Sequence, residues 1–454
     1  MNRLPQHDSR IAKDADAVRP GAQGPGREAS ARVDLEGNAD QPHRSGHFDI
    51  REALAARMFS SLSHRDFRML LIGTMATQLG QWTQQVGLSW LVYTLTGSPL
   101  QLGIVGFASG CSMLIMSPVG GALVDRVDRK KLMMVSQSIL MTVGLTLAVL
   151  VVTGHIRIWM IYVTSAISGM TFGVNGPTRQ TVVYDLVGKN NLTNAVGVNS
   201  IITNIARVVG PALGGALLAT VGIPGVFFFQ AGGYMLAMVT TVSIRQDLRP
   251  QNRERTSFFK TFWGGFTYAK KNKVILMLLL AAVTATFFGT GFIQLLPAYA
   301  AGVLNLSGSG YGFMLTSFGA GALIGSVFIA VLGNFKGQGK LLITSLLALG
   351  LCLLALGLSH NLLLSILLLL GLGAANALWM ALDNTLLQLA VTDEYRGRVM
   401  SLFFLTFGLQ PFGSLPMGAA AEHIGIGPAI AIMGGLVTIA ALFVTIAAPI
   451  VRKL

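Results

Sequence analysis

Charge is the scarcest thing in this sequence. Only 11% of its 454 residues are Asp, Glu, Lys or Arg, against 52% hydrophobic, where a soluble domain carries about 25% charged residues. A water-soluble fold could not hide so much apolar surface, so lipid has to be one of the solvents. Cysteine is nearly absent. Cys111 and Cys352 sit in separate apolar runs with no metal-ligand spacing around them, and both read as small buried hydrophobes. No Gly-x-x-x-x-Gly-Lys-Ser/Thr loop occurs, so an ATP-driven pump is excluded unless a partner supplies the nucleotide site. The histidines are scattered and form no ligand pair. No enzyme chemistry, cofactor or metal is expected.

What charge there is has a pattern. The first 66 residues hold ten basic and ten acidic side chains, so the net charge of +14 belongs to the rest of the chain. A basic patch interleaved with aromatics is missing, so no nucleic-acid partner is expected. Residues 1–64 are rich in Arg, Asp, Ala, Gly and Pro without apolar periodicity, and they lack the apolar core and cleavage site of a signal peptide. This segment is expected to be a disordered cytoplasmic tail.

From Phe67 onward, apolar stretches long enough to cross a bilayer alternate with short polar breaks. They fall at 67–93, 99–123, 132–153, 157–182, 194–220, 224–245, 273–300, 310–333, 340–358, 361–388, 398–422 and 427–449. The prediction is an all-α membrane protein of twelve transmembrane helices: a first six-helix bundle over 65–245, a cytoplasmic central loop over 246–272 and a second bundle over 273–454. In the loop, basic residues from Arg245 to Lys273, including Arg253, Arg255 and Lys260, alternate with Phe258, Phe259, Phe262, Trp263 and Phe266. That pattern predicts an amphipathic helix on the membrane surface. Of the 23 basic residues after Asp66, 20 fall on the side of the even-numbered loops and termini, and Arg157 alone faces the other. Both termini are therefore expected in the cytoplasm.

The halves are weakly similar. Arg179-Gln180-Thr181 aligns with Asp383-Asn384-Thr385 at an offset of 204, and the same offset pairs Gly214 with Gly418. Such internal repeats occur in transporters built from duplicated bundles. The loop after the second span reads Gly120-Gly121-Ala122-Leu123-Val124-Asp125-Arg126-Val127-Asp128-Arg129-Lys130-Lys131. It resembles the signature between helices 2 and 3 of the major facilitator superfamily, with Asp128 where a glycine is usual. In this reading Gly121 lets two helices approach, Asp125 sits near a helix N-terminus, and Arg129 reaches Asp185. Asp128 is expected to tolerate a left-handed turn. Gly121, Asp125, Arg126, Arg129, Asp185 and Arg179 form the expected gating set. Asn334 stands at the place of Asp125 in a degenerate second copy. A run of charges in such a loop also serves as a plain topology signal.

In the fifth span, Gly210-Pro211-Ala212-Leu213-Gly214-Gly215 looks like the superfamily's exporter motif, where paired glycines permit tight packing and the proline bends the helix. The run from Asn175-Gly176-Pro177-Thr178-Arg179 through Asn204 and Arg207 to Pro211 resembles the enterobactin-exporter-like branch, as does Arg396-Gly397-Arg398-Val399-Met400-Ser401. The resemblance implies a major facilitator fold and proton-driven efflux of a siderophore, drug or secondary metabolite. An uptake symporter, or a non-transporting sensor or scaffold on the same fold, would share much of this sequence. Intramembrane Arg207 and Asp383 count against the scaffold.

Polar residues recur at helical spacing in four spans: Thr74, Gln78, Gln81 and Gln85 in the first; Ser165, Ser168, Asn175 and Arg179 in the fourth; Thr286, Thr290 and Gln294 in the seventh; Asn376, Trp379 and Asp383 in the tenth. In the superfamily these four spans line the central cavity. Polar groups are costly against lipid, so they are expected to face water or protein. Gln78, Gln81, Gln85, Asn175, Arg207, Thr290, Gln294, Asn376 and Trp379 are the expected substrate contacts. Asp125 and Asp185 fall at span ends and Glu422 near the opposite interface. Asp383 alone lies well inside a span, so it is the candidate proton-coupling carboxylate, paired with Arg179. The expected partners are a small-molecule solute, protons and the lipid bilayer, and the expected state is a monomer in the inner membrane.

Overall fold

The computed structural model of the chain describes residues 60–249, 258–333 and 335–447. Every regular element among them is helical. The first 59 residues, Arg253, Arg255, Asn334 and the last seven residues lie outside the described residues, and with them most of the expected tail.

The helices of the first half are α1 (Arg65–Thr96), α2 (Pro99–Val124), α3 (Arg129–Val152), α4 (residues 158–187), α5 (Asn191–Thr220) and α6 (Gly222–Val242). A short helix, Phe258–Lys271, precedes the second half. There follow α7 (Lys273–Gln294), α8 (Gly308–Leu332), α9 (Gln338–Leu358), α10 (Leu362–Ala390), α11 (Glu394–Ile424) and α12 (Ile426–Ala447). Ten of these are long and apolar enough to cross a membrane. The other two, α1 and α4, carry the polar stripes of Gln78–Gln85 and Ser165–Arg179.

Local chemistry sets the ends. Gly97 closes α1 at φ 64°, returning its N–H to the Tyr93 carbonyl at 2.7 Å. Asn272 and Asn361 cap α7 and α10 by accepting from backbone N–H groups of the first turn. Between α4 and α5, where a polar break is expected over 183–193, the backbone leaves helical geometry at Gly188, at φ 68° and ψ −180°. Only glycine enters that region without strain.

Two spans expected to be continuous are broken. α7 runs regularly to Thr284, passes through a π turn at Ala285–Gly289 and a 3₁₀ turn at Gly291–Gln294, and is followed by a short helix, Leu296–Gly302. α11 stops at Phe407 and restarts at Gln410, where Pro411 cannot donate a backbone hydrogen bond. The short helix Phe258–Lys271 rests on the start of α11. Tyr268 stacks on Tyr395 at 4.3 Å and bonds Thr392, while the Arg398 guanidinium lies over the Tyr395 ring at 4.9 Å.

The contacts joining the two halves gather toward one end, the end of Gly97, Gly222 and Gly425. α2 lies on α11: a Cβ on Gly103 would stand 2.8 Å from the Ser414 carbonyl, and one on Gly418 would stand 2.7 Å from that of Pro99. α5 lies on α8, where Gly215 meets Gly312 backbone to backbone. Trp90 of α1 stacks on Tyr311 of α8 at 6.3 Å. Small residues let these backbones touch without a hydrophobic drive between helices. Large apolar side chains such as Ile115, Val331 and Ile446 point outward from the helices, as lipid contact requires.

Candidate functional site

Below the contacts between halves lies a central cavity of about 320 Å³. α1 contributes Gln81, Trp82 and Gln85; α5, Arg207; α7, Thr286, Thr290, Ile293 and Gln294. The far wall is Phe318 of α8, Asn376, Trp379 and Met380 of α10, and Phe407, Gln410 and Pro411 of α11. Both breaks in the helices, in α7 and in α11, therefore fall at the cavity. Non-helical backbone at membrane depth is tolerated where it lines such a space.

A few hydrogen bonds organise the wall. Gln85 Nε2 donates to Gln294 Oε1 at 3.1 Å, linking the two halves across the cavity. Gln410 Nε2 donates to the Thr290 carbonyl at 3.3 Å, satisfying backbone that the broken α7 leaves open. Trp379 Nε1 donates to Asn376 Oδ1 at 3.2 Å.

Among the described residues, Arg207 is the single charged one lining the cavity. Its guanidinium stands 5.8 Å from the centre of the Trp82 ring, and among the described residues it forms no hydrogen bond or ion pair. The motif around it explains its placement. Pro211 withholds the N–H that would meet the Arg207 carbonyl, and Gly319 of α8 packs on that carbonyl. Gly210 and Gly214 face α1 at Trp82 and Val86, and the Gly210 carbonyl accepts from Thr83 Oγ1 at 3.1 Å. Gly215 faces α8. The Gly-Pro-x-x-Gly-Gly run thus wedges α5 between its own half and the other.

The sequence expectations are met unevenly. Gln81, Gln85, Arg207, Thr290, Gln294, Asn376 and Trp379 converge on the cavity. Asn175 does not. With Arg179, Thr74, Gln137 and Thr241 it lines a separate, water-sized pocket inside the first half. Gln78 lines neither space. The reason is packing, because α4 and the start of α1 turn their polar faces toward α3 and α6. Trp82, Phe318, Phe407, Gln410 and Pro411 were missed; the pair Gln410-Pro411 in an apolar span was the available signal.

The gating motif also departs from expectation. Arg129 Nη1 does reach Asp185 Oδ2, at 2.7 Å. Gly121, however, has open space where its Cβ would be; the close approach belongs to Gly120, which meets Gly173 of α4. Asp128 is not left-handed. At φ −52° it is the N-cap of α3, accepting from the Lys130 N–H at 2.9 Å. Lys130 Nζ in turn donates to the Val242 and Ile244 carbonyls at the end of α6. These bonds tie α3, α4 and α6 together within the first half. Asp125 and Arg126 stay exposed, and neither forms an ion pair among the described residues.

Asp383 and Arg179 do not pair, contrary to expectation. Arg179 Nη2 donates to Asn199 Oδ1 at 3.5 Å. Asp383 is fully buried on α10, one turn from Trp379, and neither of its carboxyl oxygens has a hydrogen-bond partner. No group of three or more potential metal ligands occurs among the described residues.

Residues 56–453 match the family described as transmembrane secretion effectors. The chain belongs to that family: it is a multi-pass membrane transporter of the major facilitator superfamily, in the enterobactin-exporter-like branch, and not an enzyme. It is 28% identical to the staphyloferrin A transporter of Staphylococcus aureus over 78% of this chain and 89% of that one. It is 23% identical to an Escherichia coli enterobactin exporter over 75% and 81%. In fold it is similar to a bacterial homologue of the human lysosomal transporter Spinster, solved inward-facing and occupied, with a TM-score of 0.65 at 14% identity over 85% and 97% of the chains.

Proposed function

We propose that this protein is a proton-coupled exporter of a small organic anion, working by alternating access as a monomer in the inner membrane. The observation that carries the reading is a cavity shared by both halves whose one charge, Arg207, has no acid to neutralise it. A buried cation without a counter-ion costs at least about 3 kcal/mol in a membrane. A carboxylate or other anionic, metal-chelating group on the solute would supply the missing partner, while the Gln, Asn and Trp side chains orient the remainder. That chemistry suits siderophore-like solutes, and relatives named for staphyloferrin A and enterobactin support it.

In this reading the chain has twelve spans. α1 and α4 cross the membrane with their polar stripes turned inward, and residues 1–64, 246–272 and both termini are cytoplasmic. The two six-helix bundles are 65–245 and 273–454. The packed end is then the outer one, and the conformation is open to the cytoplasm, which leaves Asp125 and Arg126 free. They would close on the second half when the transporter turns outward. Asp383 is the proton carrier. A buried carboxyl with no partner is tolerated in its neutral form, so the inward-open state holds the proton, and solute entry beside Trp379 expels it to the cytoplasm.

The test compares small metabolites retained by cells with and without the gene. Cells lacking it should retain an anionic solute that the parent releases. Equal pools would sink the efflux reading, and accumulation in the parent would reverse the direction.

A further inference from the structure

The packed end contains a contact that the cavity chemistry does not use. Ser98 occupies the N-cap position of α2 with extended backbone, φ −107° and ψ 120°, yet its side chain caps nothing. A serine there ordinarily accepts from an N–H in the first turn. Here Ser98 Oγ instead donates to Glu422 Oε2 at 2.8 Å, and the same oxygen accepts the Leu100 N–H at 3.3 Å. Glu422 belongs to α11, in the other half of the chain. The start of α2 is therefore capped across the interface, by a carboxylate that also suits the positive end of the helix dipole. Directly beside it, Gly418 of α11 packs on the Pro99 carbonyl and Leu100.

We propose that Glu422 is a gating residue that latches α2 to α11 and holds this end of the cavity shut. When the halves part, the carboxylate leaves with α11. Ser98 is then free to turn back onto the first-turn N–H groups of its own helix. The latch exchanges one cap for another and leaves no orphan donor, so it can open in every cycle. The inference rests on the alternating-access reading above, and its test is chosen to separate the two.

Ser414 is fully buried and faces Gly103 and Gly106 of α2. In a Cys111→Ser, Cys352→Ser background, Ser414→Cys should react with a maleimide only when α2 and α11 separate. Protein in lipid nanodiscs exposes both faces to reagent, so the rate does not depend on which face is the outer one. Glu422→Ala should raise the labelling rate about three- to tenfold, the scale of a lost helix cap. Glu422→Gln, which keeps a carbonyl acceptor, should fall between. Because Glu422 is exposed, both variants should melt with the parent. Equal labelling of Glu422→Ala and parent overturns the latch. Parent protein that labels as fast folded as in denaturant would instead overturn the closed end, and alternating access with it.

Discussion

Arg207 and Asp383 are two ionisable side chains at membrane depth that carry no ion pair, and their surroundings give them different work. Arg207 opens on the cavity beside Trp82, whose ring face attracts the guanidinium without satisfying its N–H groups. Those donors are what a solute anion would take. Arg207→Ala should therefore weaken solute binding by about ten- to a hundredfold, the range of a charged hydrogen bond, and Arg207→Lys by less. Titration of purified protein with the exported solute measures this; unchanged affinity leaves Arg207 a structural role only. Asp383 is not among the residues lining the cavity, so its replacement should leave the solute's contacts in place while removing the pH dependence of solute affinity that coupling requires. Asp383→Asn keeps the shape and removes the titration. Proteoliposomes carrying it should lose transport driven by a pH gradient while retaining solute exchange. Gradient-driven transport that survives would remove Asp383 from coupling.

Helices, rather than single side chains, decide where the halves can touch. α5 presents Gly210 and Gly214 to α1 and Gly215 to α8, so one short motif serves two interfaces. A Cβ on Gly312 would stand 2.5 Å from Gly215 Cα and 2.8 Å from its nitrogen. Overpacking of this kind costs about 1–3 kcal/mol, and here it would burden only the conformation in which α5 and α8 meet. Gly312→Ala should thus cut turnover at least about fivefold at normal membrane abundance. Gly121→Ala, with open space around the new methyl, should transport like the parent. Transport assays on the pair decide whether backbone contact between α5 and α8 is needed for the cycle. The same element-level logic separates the halves of the loop motif: Arg129, Asp185 and Lys130 brace one bundle internally, and Asp125 and Arg126 stay exposed outside those contacts.

For the whole molecule, the testable quantity is orientation. In the proposed topology, twenty basic residues against one across the two faces put the Phe258–Lys271 helix and both termini inside. Reporter fusions after residue 250 and at the C-terminus should both read cytoplasmic. Either one reading outside would break the twelve-span topology, and with it the assignment of the packed end to the exterior.

Much of the architecture was legible because lipid simplifies the code. A helix that must satisfy its own backbone needs about 20 apolar residues, and that length is visible in one dimension. So were the Arg129–Asp185 pair and the cavity residues of α1, α7 and α10, since a polar stripe inside an apolar span has few places to face. Sequence could not say which of several partners each polar face meets. Asn175 and Arg179 have the same spacing as the cavity stripes, yet they turn into a pocket of their own half. The choice of Gly120 over Gly121 depends on how α2 packs against α4 inside the first bundle. The breaks in α7 and α11 and the capping of α2 by Glu422 fall where the two bundles meet. Those contacts join residues up to 324 positions apart, and no local pattern encodes them. The sequence determined a membrane-embedded helical transporter; tertiary packing alone decided which residues line its cavity and which join its two halves at one end.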